Sequence, residues 1–152
     1  MLHTPNYDVR TRAFCGPTAM SAVTGEPISV IRDTIRQASG KIETADGRAH
    51  PVMGVANEHL VEAMAMLGWE VVDKVETENE INKRDIFRLG DFLDHHGNDG
   101  PFIVNVNGHY YAVSHGEICD TFTCLPKDIV RFRRGRRRWV KRWWKFAQTY
   151  RY

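Results

Sequence analysis

FIVNVNGHYYAVSHGEICDTFT, Phe102 to Thr123, is the stretch whose reading decides the fold. Asn107-Gly108 separates two strand-like runs, Phe102 to Val106 and His109 to Ser114. A two-residue primed turn needs positive φ at both central positions, and Asn-Gly supplies it. His115-Gly116 makes a second tight turn, into Glu117 and beyond. With both turns two residues long the register follows: Val106 faces His109, Val104 faces Tyr111, Phe102 faces Val113, and Asp120 comes opposite Tyr111 on the next strand. One sheet face then carries Phe102, Val104, Val106, His109, Tyr111, Val113, Ile118, Asp120 and Phe122. All are apolar or aromatic except His109 and Asp120. Those two are diagonal neighbours, roughly 7–8 Å apart at Cα, within side-chain reach of one another. Two isolated polar groups on a core-facing surface each cost free energy, whereas a carboxylate bonded to an imidazole at its rim need not. A three-residue second turn would send Asp120 to the opposite face.

Upstream the pattern is helical. Small and apolar residues from Gly16 to Thr24 run to Gly25, a C-cap residue, with Pro17 tolerated in the first turn. Ile28, Ile31, Ile35 and Ala38 repeat at helical spacing between Pro27 and Gly40. A third helix, about Ala56 to Leu67, buries Leu60, Ala63, Met64 and Leu67. A strand follows, Trp69 to Val75. Asn82 with Asp85 reads as the capping pair of a single fourth helix that carries Ile86, Leu89 and Leu93 and ends near Gly97. The one long loop, Gly40 to Gly54, is a candidate lid.

In RAFCGPT, Arg12 to Thr18, Cys15 falls where the first helix begins. The partial positive charge of a helix N-terminus favours thiolate, and its free N–H groups can receive an oxyanion. Cys15, His109 and Asp120 are then nucleophile, base and orienter in chain order. The plainer alternatives are a packed cysteine and a structural histidine. A zinc site drawn from Cys15, His109, His115, Cys119 and Cys124 is weaker, since no close CxxC or HxxxH pair exists. His50, His59, His95 and His96 read as solvated, and Cys119 and Cys124 as packing or surface thiols.

Composition bounds these readings. At 152 residues and 42% hydrophobic the chain suits one domain, 1–152, without disulfide staples. Three cysteines cannot all pair within one chain, so reduced thiols are expected. The longest nearly unbroken apolar run, Ala63 to Trp69, is far short of the ~18 residues of a membrane span. No leader pattern opens the chain, which makes a cytoplasmic location the expectation. The net charge of +2 divides into −8 over residues 1–126 and +10 over 127–152. Within that basic C-terminal segment RFRRGRRRWVKRWWK, Arg131 to Lys145, interleaves cations with Phe132, Trp139, Trp143 and Trp144. Arg133, Arg134, Arg136, Arg137, Arg138, Lys141 and Arg142 with those rings have the composition of a nucleic-acid groove with stacking platforms. The competing reading is a hairpin turned at Gly135 that closes the sheet with Ile129 to Arg133 and Arg138 to Phe146. A terminal amphipathic helix is a third possibility, from Trp139, Val140, Trp143, Trp144 and Ala147.

CGPTAMSAVTG (15–25) with GHYYAV (108–113) and CDTFT (119–123) resembles the papain-like cysteine peptidase superfamily, closest to small bacterial and bacteriophage members related to bacteriocin-processing leader peptidases. The resemblance covers most of the chain. It implies an α+β papain-like fold in which N-terminal helices bearing the cysteine pack on a C-terminal antiparallel sheet bearing the histidine and aspartate. It further implies thiol-dependent hydrolysis of a peptide or isopeptide bond in a peptide or protein substrate, Cys15, His109 and Asp120 matching the triad, with neither cofactor nor metal. Such peptidases usually carry an oxyanion-hole Gln six residues before the Cys; Val9 stands there, and Asn6 is the most Gln-like substitute, ahead of Arg10 and Arg12. The rival function is a nucleic-acid-binding or protein-interaction module on the same scaffold with a silent triad.

Overall fold

The structure is a computed structural model and describes residues 1–149, so the last three residues of the basic C-terminal segment lie outside the described residues. Helices α1 (Cys15–Thr24), α2 (Ile28–Ser39) and α3 (Asn57–Met66) come first, then strand β1 (Trp69–Val75), helices α4 (Glu78–Arg84) and α5 (Leu89–His96), and strands β2 (Phe102–Val106), β3 (His109–Ser114), β4 (Glu117–Cys119), β5 (Lys127–Asp128) and β6 (Val140–Gln148). The fold is α+β: the strands form one sheet in the order β1-β6-β2-β3-β4-β5, antiparallel at every pairing.

The two hairpins have the expected register. Val106 pairs with His109, Val104 with Tyr111 and Phe102 with Val113, and beyond the second turn Ser114 pairs with Glu117 and Ala112 with Cys119. Asn107 and Gly108 take φ of 51° and 88°, His115 and Gly116 47° and 85°, the positive values a primed turn requires. Helices α1 and α2 end as expected at left-handed Gly25 and Gly40.

The sheet is covered on both faces, where the sequence pattern marks only one. Ile103, Tyr110, Ala112, Cys119, Trp144 and Phe146 pack under α1, α2 and α3 with Met20, Ile31, Leu60 and Met64. Phe102, Val104, Tyr111, Val113, Ile118 and Trp143 form a second core with Ile81, Leu89, Phe92, Ile129 and Phe132. Strand alternation separates the two sets, which is why β2 is buried at every position.

Three expectations are corrected. The single fourth helix is two: Thr77 caps α4 by accepting the Glu80 N–H, and Asp85, at φ 54°, breaks the chain before α5. The Thr77 side chain therefore caps the first piece and left-handed Asp85 ends it, while Asn82, read as the cap, lies inside α4. The C-terminal segment forms neither a hairpin about Gly135 nor a helix. Residues 129–139 run as turns, and β6 inserts between β1 and β2 in the middle of the sheet. Trp143 and Trp144 are each 1% exposed, one in either core, and Phe132 is buried, so these three rings are not surface stacking platforms. His96, finally, is half-buried among Phe92, Phe102 and Trp143 rather than solvated, and burial lowers its pKa.

Candidate active site

The start of α1 abuts the β2–β3 turn. Phe14, extended at φ −113° and ψ 143°, precedes the helix without offering a side-chain cap, so the first-turn N–H groups face outward from Cys15 and Gly16. Pro17 has no N–H, and the Thr18 N–H returns to the Phe14 carbonyl at 3.1 Å. Gly16 is required by closeness: a Cβ there would stand 2.3 Å from Val55 Cγ1. The half-buried Cys15 thiol lies 3.9 Å from the Gly108 carbonyl, in the turn that delivers His109.

His109 Nε2 meets Asp120 Oδ2 at 2.8 Å. Asp120, 1% exposed, is the residue after β4, and its other oxygen accepts the Phe122 and Thr123 N–H groups at 3.1 and 2.9 Å. Thr123 Oγ1 in turn accepts the Asp120 N–H at 3.1 Å. A carboxylate followed by Thr-Phe-Thr thus closes its own turn, and the turn fixes the oxygen that holds the ring. Tyr111 stands edge-on to the imidazole at 4.7 Å, with Phe122 tilted over it at 5.3 Å.

Each of the three groups is shifted toward its charged form. Burial pushes the Cys15 thiol up, but hydrogen bonds from His109 and from the Tyr110 and Gly16 N–H groups outweigh it, and its pKa falls below the ordinary value. Burial pulls His109 down, yet the bonds to Asp120 and Cys15 raise it to about 9. Burial likewise raises Asp120, and the His109 bond with the two backbone N–H groups brings it below the usual carboxylate range. All three directions favour the charged form of the group over its neutral form. Cys119 shows the contrast: burial pushes its thiol up to about 11.

Asn6 lies elsewhere along α1. Its N–H bonds Ser21 Oγ at 3.0 Å and its carbonyl accepts the Ile28 N–H at 2.8 Å. Ser21 is six residues, about 9 Å of helix, beyond Cys15. Arg133, Arg134, Arg137, Arg138 and Lys141 are exposed, and Arg142 is half-buried. Arg136, in contrast, turns inward: it donates to the Ile129 and Phe132 carbonyls and pairs with Asp94 at 3.6 Å, so it braces its own loop. Among the described residues no group of three or more His, Cys, Asp and Glu side chains is disposed to hold a metal ion.

The sequence reading passed over Asn105 and Asn57. Asn105, polar inside an otherwise apolar strand, accepts the Gly108 N–H at 2.9 Å and donates to Asn57 Oδ1 at 2.9 Å. The Tyr110 hydroxyl donates to the same Asn57 oxygen at 2.7 Å. A polar residue at a buried strand position was the available signal; Asn57, on a helix surface pattern, gave none. Together they hold the turn that carries His109 and wall a cavity of about 620 Å³ with Val55, Gly108 and Arg142.

No protein-family model, no curated protein and no solved structure matches this chain. No helix among the described residues is long and apolar enough to cross a membrane.

Proposed function

We propose that this chain is a papain-like cysteine hydrolase that cleaves peptide or isopeptide bonds through Cys15, His109 and Asp120. The observation that carries the reading is the His109–Asp120 bond of 2.8 Å to a buried, backbone-capped carboxylate, on a strand whose leading turn lies 3.9 Å, at the Gly108 carbonyl, from a thiol at a helix start. A buried Asp whose only role was packing would cost free energy to ionise. Here its charge has a receiver, and the receiver has a nucleophile.

The steps follow from the protonation states. The Cys15 thiolate attacks the scissile carbonyl carbon, and the negative charge that collects on its oxygen meets the Cys15 N–H at the start of α1. As the oxyanion collapses to re-form the carbonyl the C–N bond breaks, and the His109 imidazolium gives its proton to the departing amine, leaving an acyl thioester on Cys15 and a neutral imidazole. Water then loses a proton to His109 and attacks the thioester. The C–S bond breaks, the carboxylic acid leaves, and the thiolate–imidazolium pair is restored. Asp120 stays ionised, holding the ring orientation and stabilising its positive form.

A peptide vinyl sulfone, followed by intact-mass and peptide mapping, tests the assignment. One adduct on Cys15 at pH 6, absent in His109→Ala and with Cys119 unlabelled, is the expected result. Equal labelling of Cys15, Cys119 and Cys124 would remove the activated thiol and the reading with it.

A further inference from the structure

On the Asp120 side of the site the chain builds a groove of about 470 Å³, walled by Phe122, Thr123, Lys127, Arg131, Arg133 and Arg134 with Asp128. It holds four cations against one carboxylate, and all four are exposed. None of the four forms an ion pair among the described residues; the ion-paired arginine of this segment is Arg136, which points inward. The one acidic wall residue is already engaged, Asp128 Oδ1 accepting the Val130 N–H at 2.8 Å. With Asp128 offsetting one of the four, the groove keeps a local excess of three positive charges.

The groove is tied to the triad through two rings. The Arg134 guanidinium covers Phe122 at 4.0 Å, and Phe122 lies 5.3 Å from the His109 ring. Thr123, on its wall, is the residue whose N–H caps Asp120 at 2.9 Å.

We infer that this groove is a substrate subsite for an acidic peptide segment, Arg131, Arg133, Arg134 and Lys127 binding one or more Asp or Glu side chains close to the scissile bond. The inference rests on the hydrolase reading for what is cleaved, not for what is bound. The separations of 5.3 and 4.0 Å put the acidic side chain within about three extended residues of the bond at ~3.3 Å per residue. A peptide is favoured over a nucleic acid because Phe132, Trp143 and Trp144 are buried, Arg134 covers one face of Phe122, and the exposed Trp139 stands outside the groove with the Arg88 guanidinium over it at 5.1 Å.

Binding and cleavage are measured separately. In the Cys15→Ala protein, anisotropy of a fluorescein-labelled decapeptide with three Glu residues is compared with its Gln counterpart and with a single-stranded oligonucleotide of equal charge. Expected is at least tenfold tighter binding of the Glu peptide at low salt, with the preference lost in Arg133→Glu/Arg134→Glu; circular dichroism melting of that variant checks that it folds, and Arg133→Gln/Arg134→Gln serves as the milder replacement. Equal affinity for Glu and Gln peptides, or tighter binding of the oligonucleotide than of the Glu peptide, overturns the inference. Cleavage is then followed with the parent protein on a Glu-rich and a Gln-rich peptide library. Preferred cutting of Glu-bearing members supports the subsite. Glu-selective binding without any cleavage leaves the acidic subsite standing and counts against the hydrolase alone.

Discussion

Asp120 sets the protonation of the site because three donors converge on it while water is excluded. It is the first of the two partners, with Cys15, that raise the His109 pKa against the pull of burial, and the sign of that effect is definite. The folded pKa, about 9, lies above the ordinary 6.5, so this stabilisation is complete below about pH 6.5 and lost as pH rises through 9. The urea-unfolding gap between the parent and Asp120→Asn should accordingly narrow as pH is raised from 6.5 past 9; a constant gap would mean the bond does not bias the proton. Catalysis should follow the same groups. kcat/KM should be bell-shaped, with an alkaline limb near pH 9 for loss of imidazolium. Asp120→Asn should lower the rate by on the order of 10² or more and pull that limb toward the ordinary histidine value. A rate loss with an unmoved limb would make Asp120 a structural residue only.

At the scale of elements, two contacts decide whether thiol and imidazole meet. Helix α1 can approach the segment before α3 only because residue 16 lacks a Cβ, Val55 Cγ1 standing 2.3 Å from where one would be. Gly16→Ala should destabilise by about 1–3 kcal/mol through overpacking and displace the thiol. Removing the obstructing methyls in Gly16→Ala/Val55→Ala should recover most of the melting temperature. A double variant no better than the single would place the strain elsewhere. The β2–β3 turn depends in its turn on Asn105, whose carbonyl oxygen holds Gly108 and whose amide reaches Asn57. Asn105→Leu leaves the Gly108 N–H without its partner and Asn57 with the Tyr110 hydroxyl alone, and should loosen the His109 turn in hydrogen exchange more than it lowers global stability.

For the whole molecule the C-terminal strand carries an unusual share of the architecture. β6 is bonded to β1 on one side and β2 on the other, and sends Trp144 and Phe146 into one core and Trp143 into the other. Without it β1 has no strand partner. A chain ending at Arg138 should therefore fail to fold cooperatively, read as loss of a sharp melting transition, whereas removal of an edge strand would be tolerated. Trp143→Ala should cost about 3–5 kcal/mol. The same centrality separates the two halves of the basic segment: the strand is buried for stability, while the preceding turns, pinned to α5 by the Leu89 and Gly90 N–H groups bonding the Arg138 and Arg136 carbonyls, present the free arginines.

What could be read from the sequence is what short-range physics controls. Asn107-Gly108 and His115-Gly116 specify their turns by backbone stereochemistry, and the period of two then carries the register outward until His109 and Asp120 share a face. Gly25 and Gly40 end their helices for equally local reasons. Thr77 and Glu80 were legible too, but the apolar spacing of Ile86, Leu89 and Leu93 suggested one continuous helix where Asp85 turns left-handed. Tertiary structure alone decided the rest. Trp139 to Ala147 suits a strand or a helix face, and it is the open place between β1 and β2, with a core waiting on either side, that makes it a strand. The sequence likewise does not contain the distance between Cys15 and His109, 94 positions apart: it follows from α1 packing on β3, an outcome of burying two apolar surfaces against each other rather than of any rule acting within a few residues.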